Sequence, residues 1–320
     1  MREVGSFSHG GFRVVFIKCP ASQVRGDIIH LREALAQNLV EVSEVSSAGT
    51  VNSLKVVNKS DKFVVMFRGD VLVGGKQNRT LYTTLILAPR SENIIPVACV
   101  EAGRWRWKTE KMEQHFRIPR LMHLNEMMIE GYFPSRSAMT RDTVKTLIQR
   151  LTWSEISHRE RELSQRSETS DVVEIVSKEV RHGLNIEIPD EANGVIYVYD
   201  DKIIGGEIFL IPVDKSYIRD AVKAAYFDYK YCKKIGEKMK SGISTIEELV
   251  EEIKECELED KGSILEENVK LLKSKRLMGF IVQLNNTPVY VEFSALMKDV
   301  PLRSFALALR DHQFLRNSET

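Results

Sequence analysis

Short apolar runs, rich in β-branched and aromatic residues, dominate the first third of the chain. Gly, Asn, Ser and Asp separate them, as expected where tight turns join strands. The runs are Arg13–Lys18, Leu39–Val45, Val51–Asn58, Phe63–Arg68, Leu81–Leu87 and Ile94–Glu101. Helical spacing is confined to Asp27–Asn38, so a parallel doubly wound sheet is not expected. The pattern predicts a largely antiparallel sheet or sandwich in this third.

Helical spacing becomes prominent after Ser137. Val144, Leu147, Ile148 and Leu151 repeat at the interval of an amphipathic helix. Further helices are predicted over Asp171–Gly183 and Lys215–Lys240, and after the capping boxes Thr245-x-x-Glu248 and Ser263-x-x-Glu266. Two β-hairpins are predicted, Val195–Tyr199 with Ile203–Ile211 and Leu277–Leu284 with Val289–Phe293. The fold class is therefore α+β. We place a boundary after residue 238. Residues 1–238 are predicted to form an α+β domain, and residues 239–320 a helical hairpin with a closing β-hairpin. This second part is either separate or packed on the same core.

The overall charge excludes a uniformly charged polyanion binder. The 320 residues include 46 Lys and Arg against 45 Asp and Glu, a formal net charge of +1. Four widely spaced cysteines fit neither a disulfide framework nor a zinc ribbon. We see no secretory signal and no apolar stretch long enough to span a bilayer. We therefore expect a cytoplasmic protein without a membrane partner.

Charge is nevertheless uneven along the chain. Residues 103–166 hold 13 Lys and Arg against 8 Asp and Glu, and they contain all three tryptophans. Residues 247–267 hold 10 acidic residues against 2 basic ones. The first interpretation is a solvated basic helix face for residues 103–166 and a solvated acidic helical hairpin for residues 247–267. The basic segment could alternatively bind an anion such as RNA.

The most distinctive segment is GDVLVGGKQNR, residues 69–79. A P-loop is rejected, because the lysine comes one residue late and Gln77 replaces the metal-binding Ser or Thr. The Gly74-Gly75 pair permits a sharp bend or close approach of a ligand, and four polar side chains, Lys76–Arg79, follow. In a strand such a run faces both sides. It therefore indicates either a site for a phosphate, carboxylate or amide-bearing ligand or a hydrogen-bonded bulge.

A second segment, Pro96–Trp105 (PVACVEAGRW), places Cys99 and Glu101 on one face of an extended strand. Cys99 reads as a small buried hydrophobe, because no histidine stands near it in sequence. Glu101 is the candidate catalytic base or ligand anchor, and an ion pair with Arg79 or Arg104 is the competing structural role. The candidate ligand-binding residues are Gly75, Lys76, Gln77, Asn78, Arg79 and Arg104. No metal site is expected, since no H-x-x-x-H pair occurs.

Both segments resemble the motif of the ARG and rhodanese-phosphatase-superfamily-associated protein domain (ARPP) family. That motif runs roughly G-[DE]-x-[LV]-x-G-[AG]-K-Q-N-R and then P-V-x-C-V-E-x-G-R-W. The matching residues are Gly69, Gly75, Lys76, Gln77, Asn78, Arg79, Pro96, Val97, Cys99, Val100, Glu101, Gly103, Arg104 and Trp105. We judge the resemblance to span about Leu35 to Tyr231, with the C-terminal third particular to this chain.

The resemblance implies a role near NAD or ADP-ribose metabolism, since the family name records association with ADP-ribosylglycohydrolases and rhodanese- or phosphatase-like domains. An ADP-ribose-like ligand would place its diphosphate at Lys76 and Arg79 and its ribose or amide groups at Gln77 and Asn78. Three functions remain open. They are an enzyme or binder of an anionic small molecule, an RNA-binding module and a structural partner of another enzyme. The sequence names no cofactor and leaves open whether copies of the chain associate.

Overall fold

The computed structural model describes residues 1–24, 27–164, 167–180, 184–236 and 242–295. The helices are α1 (Leu31–Ala36), α2 (Leu124–Tyr132), α3 (Asp142–Leu163), α4 (Val172–Val180), α5 (Lys215–Lys234) and α6 (Ile246–Lys254), with 3-10 turns at Arg120–His123 and Arg136–Thr140. The strands are β1 (Arg2–His9), β2 (Phe12–Lys18), β3 (Ile28–His30), β4 (Val40–Glu44), β5 (Ser53–Asn58), β6 (Phe63–Met66), β7 (Asp70–Val73), β8 (Arg79–Thr80), β9 (Leu85–Leu87), β10 (Glu92–Pro96), β11 (Ala98–Cys99), β12 (Glu113–Arg117), β13 (Gly194–Tyr199), β14 (Lys202–Phe209), β15 (Glu257–Gly262), β16 (Glu267–Lys273), β17 (Leu277–Leu284) and β18 (Thr287–Ala295).

An eight-stranded antiparallel sheet, in the order β1-β2-β13-β14-β18-β17-β16-β15, forms the largest layer. Both predicted hairpins are confirmed within it. Their two-residue turns, Asp200-Asp201 and Asn285-Asn286, have positive φ at both residues, as type I′ turns require. Strands from both sides of residue 238 therefore share one sheet.

Three small sheets carry the N-terminal third, in the orders β10-β5-β4, β11-β8-β7-β12 and β3-β6-β9. Pairing is antiparallel except between β3 and β6. The α+β class and the largely antiparallel N-terminal third are thus confirmed. The expected helix over Asp27–Asn38 is shorter than predicted, because its first apolar residues extend as β3 and leave α1 to begin at Leu31.

The core lies between the large sheet and helix α5. Tyr217, Val222 and Ala225 of α5 pack in one buried cluster with Phe12 and Tyr197 of the sheet. This layer fixes the position of the small sheets because α5 also approaches β12. The buried aromatic face accounts for most of the helix's stability, since propensity alone contributes little.

Helix α3 lies against the short strand β11, which is at the edge of its sheet, and bonds to its unpaired side. The Gln149 side chain accepts from the Cys99 N–H at 2.6 Å and donates to the Cys99 carbonyl at 2.9 Å. An amide side chain thereby replaces the missing neighbouring strand. The segment that contains Cys99 and Glu101 is consequently held rigidly.

The C-terminal part contains one correction. Thr245 caps α6 as predicted, accepting from the Glu248 N–H at 3.1 Å. The second helix, predicted to begin at Ser263, is wrong, because Ser263–Glu266 joins strands β15 and β16. After the apparent capping box, burial alternates along β16 with the period of a strand. The region of residues 239–320 is therefore not a helical hairpin where it is described.

Two predicted helix ends remain to be compared with the structure. Helix α5 ends at Lys234, six residues before the predicted Lys240, and residues 237–241 are not described. Helix α4 begins at Val172, and the predicted end at Gly183 lies outside the described residues. Within the described part of the chain, no helix is long and apolar enough to cross a membrane.

Candidate functional site

The predicted polar segment forms the turn between strands β7 and β8. Gly74 has φ 127° and Gly75 has φ 54°, so the chain bends sharply before Lys76. A Cβ on Gly75 would lie 2.9 Å from the Glu44 Oε1 atom. Glycine is therefore required both by the backbone angle and by the space beside Glu44. The bend divides the following polar side chains between two groups.

We call the first group the saturated cluster, which consists of Asn78, Glu101, Arg104, Thr169 and Asp171. Arg104 binds Glu101 through two parallel bonds, with Nε to Oε1 and Nη2 to Oε2 both at 2.7 Å. The Nη1 atom of Arg104 donates to the carbonyls of Gly75 at 2.8 Å and Arg106 at 2.9 Å. This bidentate geometry is the strongest kind of guanidinium–carboxylate contact.

The carboxylate of Glu101 is fully used within this cluster. Its Oε2 also accepts from the Asn78 N–H and its Oε1 from the Thr169 hydroxyl, each at 3.0 Å. Burial opposes ionisation, but the bonds from Arg104, Asn78 and Thr169 hold the pKa of Glu101 below its usual value. The structure thus contains the ion pair with Arg104. A catalytic role for Glu101 stays a prediction.

Asp171 closes the saturated cluster from the start of helix α4. Its Oδ2 accepts from Asn78 Nδ2 at 3.0 Å, and its Oδ1 caps the helix by accepting from the Val173 N–H at 3.0 Å. Burial, and to a smaller extent the Glu101 carboxylate, raises the pKa of Asp171 to about 6. The Asn78 amide, predicted to contact ribose, is committed here to Asp171 and, through Oδ1, to the Gly74 N–H.

We call the second group the unsaturated cluster, which consists of Glu44, Lys76, Arg79, Trp105 and Trp107. Arg79 is fully buried, and its Nη2 donates to the Thr50 carbonyl at 3.3 Å. Its Nε and Nη1 atoms donate to no acceptor in the described part of the chain. Burial lowers the pKa of this guanidinium. A guanidinium nevertheless remains charged in proteins.

Glu44 lies beside Arg79, with 3.8 Å between Glu44 Oε1 and Arg79 Nη2. The same Oε1 accepts from the Lys76 N–H at 2.9 Å. The Oε2 atom of Glu44 is buried and receives no donor from the residues described. The cluster therefore contains both donors and an acceptor that are not used.

Two half-exposed indoles form the outer face of the unsaturated cluster. Lys76 Nζ lies 5.4 Å from the Trp105 ring centroid and 5.5 Å from that of Trp107. The guanidinium carbon of Arg79 lies 5.8 Å from the Trp105 centroid. Both tryptophans are 47% exposed, although large aromatic side chains are usually well buried. The structure thus brings two cations directly beneath an exposed aromatic surface.

The loop of residues 45–52 covers these cations. Lys76 Nζ donates to the Ala48 carbonyl at 2.8 Å, and Arg79 donates to the Thr50 carbonyl. Gly49, with φ 73°, passes so close that a Cβ there would lie 3.2 Å from Glu44 Oε2. The loop makes these contacts through backbone atoms, so its carbonyls occupy positions that another oxygen could take.

Gln77 and Cys99 lie between the two clusters. Gln77 Nε2 donates to the Glu101 carbonyl at 2.8 Å, and its Oε1 receives no donor from the described residues. Cys99 faces Arg79 across the strand pair, and its thiol donates to the Glu101 carbonyl at 3.2 Å. Burial raises the pKa of this thiol, which disfavours the thiolate that nucleophilic chemistry needs. Cys99 is fully buried, consistent with the role of a small hydrophobe.

The predicted site residues all lie in or beside the two clusters. Five members of the clusters were not predicted as site residues: Glu44, Trp105, Trp107, Thr169 and Asp171. Glu44 carried a usable signal. It occupies the inward phase of β4, whose burial alternates so that Val40, Val42 and Glu44 share the buried face. An acid in the apolar phase of a strand indicates a buried partner. Thr169 lies in a loop and carried no comparable signal.

Metal binding is not suggested by these residues, since no group of three or more His, Cys, Asp or Glu side chains in the described ranges could hold an ion. The molecule is thus an α+β protein whose double-glycine turn positions an ion-paired cluster against an incompletely bonded one. The chain belongs to the ARG and Rhodanese-Phosphatase-superfamily-associated Protein domain family, whose model matches residues 4–294. The match therefore extends beyond Tyr231, so the C-terminal strands are not particular to this chain. No curated protein and no solved structure matches it.

Proposed function

We propose that the protein binds a nucleotide or ADP-ribose-like anionic small molecule at the unsaturated cluster. The observation that carries the proposal is the buried Arg79 guanidinium, two of whose nitrogen atoms find no acceptor among the described residues. A buried donor without a partner costs about 1–3 kcal/mol. A phosphate or carboxylate bound there would recover this cost through bidentate, charge-assisted bonds.

The indoles above the cations support a ligand that also carries a flat ring. Trp105 and Trp107 offer exposed aromatic faces, on which a base can stack with a contribution of about 1–3 kcal/mol. Lys76 lies close to both rings and would contact the anionic part of the same ligand. Aromatic rings and two cations at one place fit a nucleotide better than an inorganic anion.

Binding requires the loop of residues 45–52 to move. The carbonyls of Ala48 and Thr50 now accept from Lys76 and Arg79, and ligand oxygens would take over these bonds. The exchange costs little in hydrogen bonding, because each donor keeps one acceptor while the unused donors of Arg79 gain theirs. ADP-ribose or NAD is the preferred ligand class because of the family to which the chain belongs. A cytoplasmic location is part of the proposal, and the four free thiols support it.

The test is calorimetric titration of the purified protein with ADP-ribose, NAD and AMP. We expect saturable binding of at least one of them, and a loss of about 100-fold in affinity for Lys76→Ala. Lys59→Ala is the matched control, because Lys59 is an exposed lysine paired only with Glu41 among the ion pairs of the described chain. The proposal fails if none of the three ligands binds to wild-type protein, or if both variants bind like wild type.

RNA binding through residues 103–166 is the weaker candidate, because much of the basic surplus is internal. Five of its 13 basic residues are buried and paired with carboxylates, namely Arg104, Arg117, Arg120, Arg136 and Arg159. These side chains cannot contact phosphates at the surface. RNA affinity that falls steeply with salt would revive this candidate. A purely structural role would leave every ligand titration flat.

A further inference from the structure

We infer that Glu44 makes the site selective for a ligand that carries hydroxyl donors beside its anionic group, as a ribose 5′-phosphate does. The inference rests on the proposed function and goes beyond it by naming the residue that selects the sugar. Neither the family motif nor the polar segment of residues 69–79 includes Glu44. The argument depends on the position of one unused carboxylate oxygen.

The two oxygens of Glu44 have different surroundings. Oε1 is held by the Lys76 N–H and faces Arg79 at 3.8 Å. Oε2 receives no donor in the described ranges, although the side chain is buried. This free oxygen points toward the loop of residues 45–52, since a Cβ on Gly49 would lie 3.2 Å from it. The unused acceptor therefore faces the same loop that covers the two cations.

Charge indicates what this oxygen accepts. Lys76 and Arg79 supply two positive charges, and Glu44 offsets one of them at close range. A second anionic oxygen placed at Oε2 would be repelled, whereas a hydroxyl would donate to it and satisfy a buried acceptor. A sulfate, which carries no hydroxyl, leaves this acceptor unpaired. A sugar phosphate can satisfy the cations and the carboxylate together.

The acceptors of the saturated cluster are already occupied in this structure, and the other unused acceptor beside the clusters, Gln77 Oε1, is a neutral amide oxygen. Asn78 is committed to Asp171 and Gly74, and both oxygens of Glu101 accept from Arg104. A carboxylate is also the group that dinucleotide-binding folds use for the ribose hydroxyls. Glu44 is thus the acidic side chain of the two clusters that retains a free oxygen within the described chain. The ligand class that follows is a nucleotide with an intact ribose diol.

The experiment compares AMP with 2′,3′-dideoxy-AMP by calorimetry, using wild-type protein, Glu44→Gln and Glu41→Gln. Glutamine keeps the size of the side chain and an acceptor for the Lys76 N–H, but it replaces one oxygen with a donor. We expect wild type to bind the dideoxy compound at least about 10-fold more weakly, as loss of bonds to a charged acceptor predicts. Glu44→Gln should reduce this ratio to below about threefold. Glu41 lies on strand β4, as Glu44 does, but it pairs with Lys59 and Lys111. Glu41→Gln should therefore behave like wild type.

The outcomes separate this inference from the proposed function. Equal binding of both nucleotides to wild type overturns the role of Glu44 and leaves nucleotide binding intact. Undiminished discrimination by Glu44→Gln also overturns it. If wild type binds none of AMP, ADP-ribose and NAD, the proposed function itself is contradicted, whereas failure to bind AMP alone, beside binding of ADP-ribose or NAD, overturns the inference only. If Glu44→Gln fails to fold, Glu44→Asp provides the second variant. Aspartate keeps the charge, but its side chain is one methylene shorter, so its oxygens lie farther from the ligand. Full discrimination by Glu44→Asp would then contradict the inference.

Discussion

The saturated and unsaturated clusters contain similar residues and lie on the same turn, yet their hydrogen bonding differs. Arg104 donates from all three of its nitrogen atoms to oxygens around it. Arg79, equally removed from solvent, donates from Nη2 alone to an acceptor within the described chain. Both guanidinium groups are buried, so burial does not distinguish them. The count of satisfied donors does.

This difference indicates which half of the motif holds the fold and which half carries the unused donors on which the proposed ligand binding rests. A buried ion pair that satisfies all its atoms contributes rigidity, and removing one partner leaves an uncompensated charge. A buried cation with unused donors costs stability until a partner arrives. The polar residues that follow the Gly74-Gly75 bend therefore divide between the two clusters, Asn78 in the saturated one and Lys76 and Arg79 in the unsaturated one.

The largest expected effect concerns the saturated cluster. Arg104→Ala leaves the buried carboxylate of Glu101 without its cation, so the free energy of unfolding should fall by about 3–5 kcal/mol. Urea unfolding followed by circular dichroism measures this change. Arg106→Ala is the control, because its exposed side chain should change stability by less than about 0.5 kcal/mol. If both variants lose only a small and equal amount of unfolding free energy, the saturated cluster does not stabilise the fold as we predict.

The second effect concerns ligand affinity rather than stability. Lys76→Met keeps much of the aliphatic stem of the side chain but removes the charge beside both indoles. We expect a loss of stability of about 1 kcal/mol, from the bond to Ala48, and a fall in nucleotide affinity of about 100-fold. Urea unfolding and calorimetry on one preparation separate the two quantities. A large loss of stability with unchanged affinity would place Lys76 with the structural half.

A smaller effect is expected at the aromatic face. Trp107→Ala removes an indole that contacts Lys76 and is 47% exposed, so nucleotide affinity should fall about 10-fold while stability changes by less than about 1 kcal/mol. Quenching of tryptophan fluorescence on titration provides the readout. Tyr132→Ala removes an aromatic of similar exposure outside the cluster and should leave affinity unchanged. Equal affinities of Trp107→Ala and wild type would argue against ring stacking.

Much of the fold could be predicted because the relevant signals are local. Asp and Asn tolerate the positive φ that a two-residue hairpin turn needs, and Asp200-Asp201 and Asn285-Asn286 adopt it here, so both hairpins were predictable. The predicted helix at Ser263 failed because a capping box is a weak local signal. Burial alternates along β16 as in a strand, and Glu267 at its start accepts from the Ile86 N–H. These tertiary interactions favour a strand over the predicted helix.

The sequence predicted which polar residues of the motif form the site, but not which of them belong to the saturated cluster and which to the unsaturated one. The polar run Lys76–Arg79 was expected to face both sides of a strand, but only Arg79 lies in a strand, and all four side chains are buried in or beside the turn. Which carboxylate serves which cation depends on Glu44, 32 residues before Lys76, and on Asp171, 93 residues after Asn78. Contacts of that separation leave no periodic pattern in the sequence. They follow from where strand β4, which ends at Glu44, and the start of helix α4 lie beside the turn.

The smallest effect tests whether the saturated cluster is free of electrostatic conflict. The pKa of Asp171 is raised to about 6 in the folded protein, against about 3.9 in an unfolded chain. The folded state therefore binds more protons between about pH 4 and 6, and wild-type stability should fall as pH rises through that window. Asp171→Asn does not titrate, and asparagine caps a helix as well as aspartate does.

Relative to wild type, the free energy of unfolding of Asp171→Asn should therefore rise by about 1–2 kcal/mol between pH 4 and pH 7 and then level off. Urea unfolding at pH 4, 5.5 and 7 measures the difference. Asp61→Asn is the control, because Arg90 lowers the pKa of the exposed Asp61, so this group stays ionised across the pH range and its difference from wild type should change little. If the Asp171→Asn difference is independent of pH, Asp171 ionises without cost beside Glu101. The saturated cluster would then be satisfied electrostatically as well as by hydrogen bonds, and the contrast with Arg79 would be sharper.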